Sequence, residues 1–381
     1  MRKFPYIYHI MSEVFYSNLH ASPGNSLPAK FKKLIKAAGI EQMHCKDKFA
    51  AIKIHFGELG NMAFLRHNYA QRLAEVLADM GAKPFLADSN TLYSGTRSNA
   101  VDHLHTAFLN GYNAVSVPSA PVIIADGLKG TDEVSVPVPG GTYCIEAKIG
   151  AVIAKADAII SLSHFKGHEQ TSFGGALKNL GMGSASVGGK LHLHSDSQPT
   201  VNRDLCVGCG QCEANCRHGA IRVALDGVAV IDKTICVGCG QCIAVCQFGA
   251  ACVDSWSSAR NLAAKISEYA LAVVHGKPHF HVALITDVSP LCDCWGCNDV
   301  PIVPNLGMLA SFDPVALDQA CFDMVCKAEA IPGSAVNPDG QDSHRDQNKF
   351  HFVHPATDGL FGLEHAETIG LGSRTYTLTE I

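Results

Sequence analysis

Residues 48–56, Lys-Phe-Ala-Ala-Ile-Lys-Ile-His-Phe, form a near-continuous apolar run, which is the pattern of a strand buried on both faces. Apolar side chains then recur at helical spacing over residues 69–80, and Gly81 follows as a stop signal. Residues 84–87 predict the next strand, which ends at Asp88. A strand, a helix and a second strand in this order indicate a βαβ unit with parallel strands.

The same alternation continues along the chain. A second predicted helix carries Val101, Leu104 and Phe108 on one face and is closed by Gly111. We therefore expect an α/β fold with a largely parallel sheet and helices on both faces. The remaining predicted elements are strands over residues 114–117, 158–162 and 281–286, helices over 147–156 and 257–275, and a helix N-cap at Asp313 before Pro314.

Two cysteine runs interrupt this pattern in the middle of the chain. Both have the spacing C-x2-C-x2-C-x3-C, which is typical of [4Fe–4S] ligands, and in two-cluster ferredoxins the fourth cysteine of each run binds the other cluster. A disulfide or zinc interpretation requires both complete spacings to have arisen by accident. The expected ligands are Cys206, Cys209, Cys212 and Cys246 for one cluster, and Cys236, Cys239, Cys242 and Cys216 for the other.

The position of these runs predicts the domain organisation. We expect an α/β domain in two parts, residues 12–199 and 255–381, interrupted by a small α+β insert of the bacterial two-cluster ferredoxin type over residues 200–254. The insert contains the internal repeat of the chain. Translation could start at Met1 or at Met11, since Met11 directly precedes the first strand-like stretch.

Composition narrows the class of protein. The 381 residues are 47% hydrophobic and 17% charged, and no apolar run is long enough to predict a membrane span. Sixteen cysteines without a signal peptide indicate a reducing, cytoplasmic environment and metal sites in preference to disulfides. The net charge of −5 and the lack of a lysine and arginine cluster disfavour a nucleic-acid partner.

Histidines and lysines are concentrated after the strand predicted over residues 158–162. Open α/β sheets bind ligands beyond the carboxyl ends of their strands, so this group predicts a site for an anionic ligand, a metal or acid–base chemistry. For any single histidine, a solvated polar loop is the simpler interpretation. The residues of the group are His164, Lys166, His168, Lys178, Lys190, His192 and His194.

A second group, Cys292-Asp-Cys294-Trp-Gly-Cys297, also follows a predicted strand. The C-x-C-x2-C spacing predicts either a metal site or a third cluster, and a set of reduced thiols is the alternative. Of Cys321 and Cys326, at most one is expected as a fourth ligand. Other polar residues that could line the same cleft, or could be caps and surface residues, are Lys53, His55, Glu58, Asn61, Arg66, Asp88, Asn90, Tyr93, Arg97 and His103.

The chain resembles the domain of unknown function 362 family, in its form with an inserted two-cluster ferredoxin, over residues 12–378. The resemblance is carried by long motifs at residues 53–61, 88–93, 164–168, 173–183, 292–294, 301–304 and 313–318. It implies the fold class and the two clusters. It does not imply a substrate, because the reaction of the family is not established.

A shorter stretch is similar to the family of lactate racemases that use a nickel-pincer nucleotide. His168, then Phe173-Gly-Gly-Ala-Leu-Lys178, then His194 stand in the order of that family. The similarity implies that Lys178 holds a cofactor or ligand, and that His168 and His194 are metal ligands or acid–base groups. Two positions depart from the family pattern, Arg66-His67 in place of arginine-proline and Gly95-Thr96-Arg97 without a histidine.

Together these features predict an iron–sulfur oxidoreductase. A redox partner protein or another low-potential donor would reduce two [4Fe–4S] clusters, and electrons would pass to a small-molecule ligand or a metal in the α/β cleft. The predicted catalytic residues are His164, His168, Lys178 and His194. The alternatives are a non-catalytic electron carrier or docking module, and a metal or cluster delivery protein built around Cys292, Cys294 and Cys297.

Overall fold

The computed structural model describes residues 11–92, 95–194, 199–216, 219–236, 241–244, 246–253 and 258–381. The predicted ligand Cys239 and the candidate Tyr93 lie outside the described residues. In the described part of the chain, no helix is long and apolar enough to cross a membrane.

Strands and helices alternate along most of the chain. The strands are β1 (Ser12–Ser17), β2 (Phe49–Lys53), β3 (Lys83–Asp88), β4 (Val122–Ile124), β5 (Glu133–Pro137), β6 (Glu146–Gly150), β7 (Ala158–His164), β8 (Lys166–His168), β9 (Ser172–Gly174), β10 (Pro199–Val201), β11 (Ile221–Val223), β12 (Ala229–Ile231), β13 (Ala251–Val253), β14 (His279–Ile285), β15 (Gly307–Ser311) and β16 (Tyr376–Glu380). The helices are α1 (Leu27–Ala37), α2 (His67–Asp79), α3 (Ala100–Leu109), α4 (Ala151–Lys155), α5 (Ala176–Ser184), α6 (Val187–His194), α7 (Gln211–Ala214), α8 (Gln241–Ala244), α9 (Ala259–Val274), α10 (Pro314–Lys327), α11 (Lys349–Val353) and α12 (Gly359–Thr368), with a 3-10 turn at Ile40–Met43.

The centre of the fold is an eight-stranded sheet with the order β16-β1-β15-β14-β7-β2-β3-β4. The pairs β7–β14, β2–β7, β2–β3, β3–β4 and β1–β16 are parallel, and the pairs β1–β15 and β14–β15 are antiparallel. The sheet is therefore largely parallel, as the alternation of strands and helices predicts.

Helices cover both faces of this sheet. Along β2, Ala51 belongs to one hydrophobic cluster, while Ala50 and Ile52 belong to the cluster on the opposite face. Side chains of successive strand residues point to opposite faces, so β2 is buried on both. Helices α5 and α10 pack on one side and α1 and α2 on the other, which confirms the predicted α/β fold class.

Most of the predicted elements are present, and so is the predicted N-cap of the helix that begins at Pro314. The strands predicted at residues 84–87, 158–162 and 281–286 are β3, β7 and β14. Asp313 is the N-cap of α10, because its Oδ1 accepts hydrogen bonds from the amides of Val315 and Ala316 at 2.8 and 3.0 Å.

Two predicted elements are wrong. Residues 114–117 form turns in place of a strand, because the side chain of Asn113 accepts hydrogen bonds from the amides of Val115 and Ser116. The helix predicted over residues 147–156 is half strand, since β6 pairs with β5 as an antiparallel hairpin before the short helix α4 begins. Pairing with a partner strand thus overrides the local helical pattern.

Helix α3 exists as predicted, but its apolar face points outward. Val101, Leu104 and Phe108 are exposed, whereas His103 and Thr106 are buried. The reason is that both have polar neighbours inside the fold: Nδ1 of His103 lies 3.3 Å from Oδ1 of Asn90, and the hydroxyl of Thr106 donates to the carbonyl of residue 96. Polar partners inside the fold decide which face of this helix is buried.

The cysteine-rich segment has a small core of its own. Strands β10 and β13 pair with each other, as do β11 and β12, both antiparallel. The core contains Ile221, Ala229, Cys242 and Ala251. In chain order the two halves of the segment are β10-α7-β11 and β12-α8-β13, so both have a β–α–β arrangement. Their short helices α7 and α8 contact each other. Its assignment as a separate ferredoxin domain over residues 200–254 stays a prediction.

Candidate functional site

Polar side chains meet at the edge of the sheet where β2, β3 and β7 end. Lys53 ends β2, Asp88 ends β3 and His164 ends β7. In a parallel sheet these ends lie at one edge, where open α/β folds bind ligands. All three line a cleft of about 920 Å³, open solvent included. The other sequence-predicted residues in its wall are His55, Arg97, Lys166, His168, Lys178, Lys190, His194 and Cys294.

Helix α5 brings Lys178 and Asn179 to this cleft. Its first two amides donate hydrogen bonds to the carboxylate of Asp318 at 2.7 and 2.9 Å. A Cβ at Gly175 would lie 2.3 Å from the same carboxylate, so only glycine permits this approach. The glycine-rich stretch therefore fixes where the helix begins and, with it, the position of Lys178.

Asn179 is a structural residue of the site that sequence reasoning did not single out. Its Nδ2 donates to the carbonyls of Lys53 and Leu162 at 3.0 and 3.1 Å, and its Oδ1 accepts from the ammonium of Lys53 at 2.8 Å. One side chain thus connects α5 to β2 and β7 and orients Lys53. No sequence pattern predicts that an asparagine in a glycine-rich helix will make hydrogen bonds to two strands.

A sulfur centre lies next to Lys178. The ammonium of Lys178 donates to the sulfur of Cys292 at 3.0 Å. A hydrogen bond from Cys294 lowers the pKa of Cys292 well below its usual range; burial opposes this shift and the charge of Lys178 supports it. The pKa of Cys294 is raised well above its usual range because that thiol donates to Cys292 and is buried. Cys292 is therefore the thiolate of the pair.

His168 joins this sulfur centre, although the sequence placed it in a separate group. Its donor atoms and those of Cys292 and Cys294 lie within 4.8 Å of one another, so the three residues could hold a metal ion. Nδ1 of His168 accepts hydrogen bonds from the amides of Gln170 and Thr171 at 3.1 and 3.2 Å. The ring proton is therefore on Nε2, the nitrogen that faces the sulfurs. A protonated nitrogen is a donor and not a metal ligand, so the two sulfurs fit a metal better than this imidazole does.

Cys297 is not part of this convergent set. Its side chain is exposed, and its carbonyl accepts a hydrogen bond from Asn61 at 3.0 Å. Cys321 is buried in the hydrophobic core on α10. The structure thus brings together the first two cysteines of the C-x-C-x2-C group and leaves the third at the surface.

His164 has partners at both ring nitrogens. Nδ1 lies 2.9 Å from the carboxylate of Asp293, and Nε2 lies 2.7 Å from the carbonyl of Thr286. Burial raises the pKa of Asp293, but the charges of His164 and Lys166 outweigh it and hold the pKa well below its usual range. His164 therefore positions the loop that carries Cys292 and does not offer a nitrogen to a ligand.

The two histidines at the end of α6 differ in position. His194 lines the cleft, and burial together with the nearby His168 and Lys178 lowers its pKa to about 3, so it is neutral. His192 lies outside the described cleft wall, with Nδ1 2.8 Å from the hydroxyl of Tyr269. Burial lowers its pKa to about 4.

A second charged group in the cleft is built around Asp88. Its carboxylate lies 2.9 Å from Lys53, 3.7 Å from Arg97 and 3.6 Å from His103. Burial raises the pKa of Asp88, but Lys53 and His103 outweigh it and lower the pKa well below its usual range. Arg97 also pairs with Glu58, from Nε to Oε2 at 3.0 Å. This network fixes the basic side chains beside the cleft.

The cysteine-rich segment encloses a second cavity. Cys206, Cys209, Cys212 and Cys246 all line it, together with apolar residues such as Val201. The fourth cysteine of the second run thus lies beside the first three of the first run. Cys216 and Cys242, two of the four residues expected at the other cluster, pack against the same small core.

Backbone amides point at several of these sulfurs. The amide of Ala229 lies 3.4 Å from the sulfur of Cys206, and the amide of Ala251 lies 3.4 Å from that of Cys246. Such N–H groups stabilise the negative charge of cluster thiolates. The donor set and its surroundings fit a [4Fe–4S] cluster.

The cysteine-rich segment contacts the cleft through two helices. Helix α8, which carries Cys242, packs against α6, which carries Lys190 and His194. The contact between α6 and α8 therefore joins the cysteine-rich segment to a helix of the cleft wall.

Comparison with known proteins gives a family and distant structural likenesses. The structure is similar to that of the lactate racemase apoprotein from Thermoanaerobacterium thermosaccharolyticum, at 12% identity and a TM-score of 0.35. The alignment covers 72% of this chain and 51% of that chain. The structure is also similar to that of a protein from Thermotoga maritima, at 13% identity and a TM-score of 0.38, with 80% of this chain and 60% of that chain covered. No curated protein matches. Residues 50–323 match the model described as Domain of unknown function (DUF362), so the chain belongs to this family.

Proposed function

We propose that this protein is an iron–sulfur oxidoreductase that passes electrons through two [4Fe–4S] clusters to a ligand or metal in the α/β cleft. The clusters would be reduced by a redox partner protein or another low-potential donor. Bound clusters supply one-electron transfer. The protein residues supply the ligands, the route and the receiving site.

The cysteine ligands are supported by how they converge. Cys206 and Cys246 belong to different runs, yet both line one cavity with Cys209 and Cys212. Neither a disulfide framework nor a lone zinc site requires this crossed arrangement, whereas a two-cluster ferredoxin does. Cys216, Cys236, Cys239 and Cys242 are the proposed second set.

The contact between α8 and α6 is the observation that carries the proposal. It joins the helix of Cys242 to the helix whose Lys190 and His194 line the cleft. An electron carrier without a reaction of its own gains nothing from a cleft at this position. The contact therefore supports the cleft as the destination of the electrons.

The cleft end has groups that could take part in a reduction. Cys292 is a thiolate paired with Lys178, and the Nε2 proton of His168 lies beside it. We propose that Lys178 and His168 hold and move protons there, and that neutral His194 contacts the ligand. His164 holds Asp293 in place and acts as a positioning residue.

The test uses protein purified without oxygen. Iron and sulfide analysis should give about eight of each, and low-temperature EPR of the reduced protein should show two interacting clusters. Reoxidation of the reduced clusters by candidate small-molecule oxidants is then followed by absorbance. Lys178→Ala and His168→Ala should slow ligand-dependent reoxidation and leave the EPR signals intact, while the exposed-site control His20→Ala should change neither. Equal reoxidation in all variants would contradict the proposal.

Metal binding at the sulfur centre is a second candidate function. It is favoured by the convergence of His168, Cys292 and Cys294 within 4.8 Å. Metal analysis of wild type and of the Cys292→Ser/Cys294→Ser double variant separates the two. Loss of one equivalent of zinc or iron in the variant supports a metal role, and an unchanged metal content removes it. Cys297→Ser is the matched control, because Cys297 is exposed and outside the set.

A further inference from the structure

We infer that the cleft contains an oxyanion subsite formed by Arg97, Ser89 and Lys190, which binds a carboxylate or phosphate group of the ligand. The subsite is distinct from the sulfur centre in the same cleft. The inference rests on the proposed function in one respect: it takes the bound ligand to be the electron acceptor in the cleft.

Arg97 is buried with an unused donor. Its side chain is only 2% exposed, and its Nε donates to Glu58 at 3.0 Å. Its Nη2 is buried and has no hydrogen-bond partner among the described residues. A buried guanidinium N–H without a partner is costly and rare in native proteins. Because Arg97 lines the cleft, a ligand acceptor is the natural partner.

Ser89, next to the end of β3, also has a buried polar group without a hydrogen-bond partner among the described residues. It directly follows β3, is 1% exposed and lines the same cleft. Its hydroxyl also lacks a hydrogen-bond partner within the described part of the chain. A hydroxyl and a guanidinium that both need acceptors fit a group with two or more oxygens.

Lys190 adds a second positive charge from α6. Its side chain is buried in the cleft wall, and one of its three ammonium protons goes to the carbonyl of Ala185. Asp126, the acid that most favours its charge, accepts two hydrogen bonds from Asn90 at Oδ1, while its Oδ2 has no hydrogen-bond partner among the described residues. An ammonium has three protons, so Lys190 has donors left for a ligand oxygen.

The acids of the cleft do not cancel this subsite. Asp88 lies 2.9 Å from Lys53, Glu58 lies 3.0 Å from Arg97, and Glu169 lies 4.0 Å from His168 at the sulfur centre. Asp126 is the acid that most favours the charge of Lys190. The subsite therefore depends on the donors of Arg97 and Ser89 that lack a partner among the described residues, and not on an excess of positive charge. The ligand class that follows is a small molecule with an oxyanion at one end and a reducible group that reaches His168 and Cys294.

The test is isothermal titration calorimetry with sulfate, as a stable stand-in for a phosphate group, and with acetate. Both titrations are done in a chloride buffer at pH 7 on the anaerobic protein. Tighter sulfate binding indicates a phosphate-bearing ligand, and tighter acetate binding indicates a carboxylate. Ser89→Ala should weaken the preferred anion about tenfold, and Arg97→Gln about a hundredfold, as expected for hydrogen bonds to a charged group.

Ser334→Ala is the matched control. Ser334 is 1% exposed and its hydroxyl also lacks a partner in the described residues, but it lies outside the cleft wall. Ser89→Ala removes no hydrogen bond seen in the structure, so it remains informative if Arg97→Gln fails to fold. The inference is overturned if neither anion binds, or if Ser89→Ala and Arg97→Gln both bind like wild type. Anion binding without cluster EPR signals would instead overturn the proposed function alone.

Discussion

The ammonium of Lys178 lies 3.0 Å from the sulfur of Cys292, and the two residues are 114 positions apart in the chain. Lys178 comes from the glycine-rich helix α5, whereas Cys292 comes from the loop after β14. The pair joins two sequence motifs that showed no relation to each other. The hydrogen bond from Cys294 lowers the pKa of Cys292 most, burial opposes this shift, and the charge of Lys178 supports it.

Removing the lysine charge should therefore make Cys292 a weaker acid. We expect Lys178→Met to slow the reaction of Cys292 with iodoacetamide at pH 7 by about tenfold, because the thiolate is the reacting species. Lys178→Arg, which keeps the charge, should restore much of the rate. Mass spectrometry of the modified peptides gives the rate at each cysteine.

Cys321 provides an internal control for this measurement. It is as buried as Cys292, but burial raises its pKa well above the usual range, so it should react slowly at every pH below 9. Equal rates at Cys292 and Cys321 in the wild type would contradict a reactive thiolate at Cys292.

The crossed arrangement of the two cysteine runs gives a second prediction. Cys206→Ala and Cys246→Ala should remove the same cluster, although the two residues belong to different runs, because both line one cavity. EPR and iron content should fall alike in the two variants, by about half. Cys252→Ala, in β13 of the same segment, should keep both clusters. Different spectra in the first two variants would argue against crossed ligation.

The sequence predicts those parts of the fold that depend on local patterns. The buried strands β2, β3 and β7 and the cap at Asp313 follow from apolar runs and capping chemistry, which act within a few residues. The strand predicted over residues 114–117 fails because one asparagine side chain turns the backbone there. Local hydrophobicity carries no information on that hydrogen bond.

The candidate site shows the same limit. The histidines, lysines and cysteines could be identified by residue type and by their position after strands. Their grouping could not, since the approach of His168 to Cys292 depends on the pairing of β7 with β14. Asn179 and Asp318 were missed because they act by holding the backbone of other elements, a role that many residue types fill.

Glu268 should be a major determinant of stability. Its buried carboxylate accepts hydrogen bonds from the amides of residues 142–144 and lies 2.9 Å from His365. Burial raises the pKa of Glu268, but these hydrogen bonds outweigh it and lower the pKa to about 2. Because the pKa is lower in the folded state, this stabilisation is present above about pH 4.5 and is lost as the pH falls toward 2.

We expect Glu268→Gln to reduce the free energy of unfolding by about 3 kcal/mol at pH 7 and by much less at pH 3. Urea denaturation followed by circular dichroism at both pH values measures the difference. Glu41→Gln, at an exposed ion pair with Lys36, should change stability by less than about 1 kcal/mol at either pH. A pH-independent loss at Glu268 would mean that packing, and not the charge, is responsible.

Anion binding in the cleft should weaken in alkaline solution. Burial lowers the pKa of Lys190 to about 8, with Asp126 and Asp88 favouring the charged form and Lys53 and Arg97 opposing it. The ammonium that would bind an oxyanion is therefore present below pH 8 and is lost above it. Sulfate stays fully ionised over this range, so its affinity should fall about tenfold between pH 7 and pH 9. Lys190→Met should bind sulfate more weakly at pH 7 and show no such fall; an unchanged pH dependence in that variant would assign it to another group.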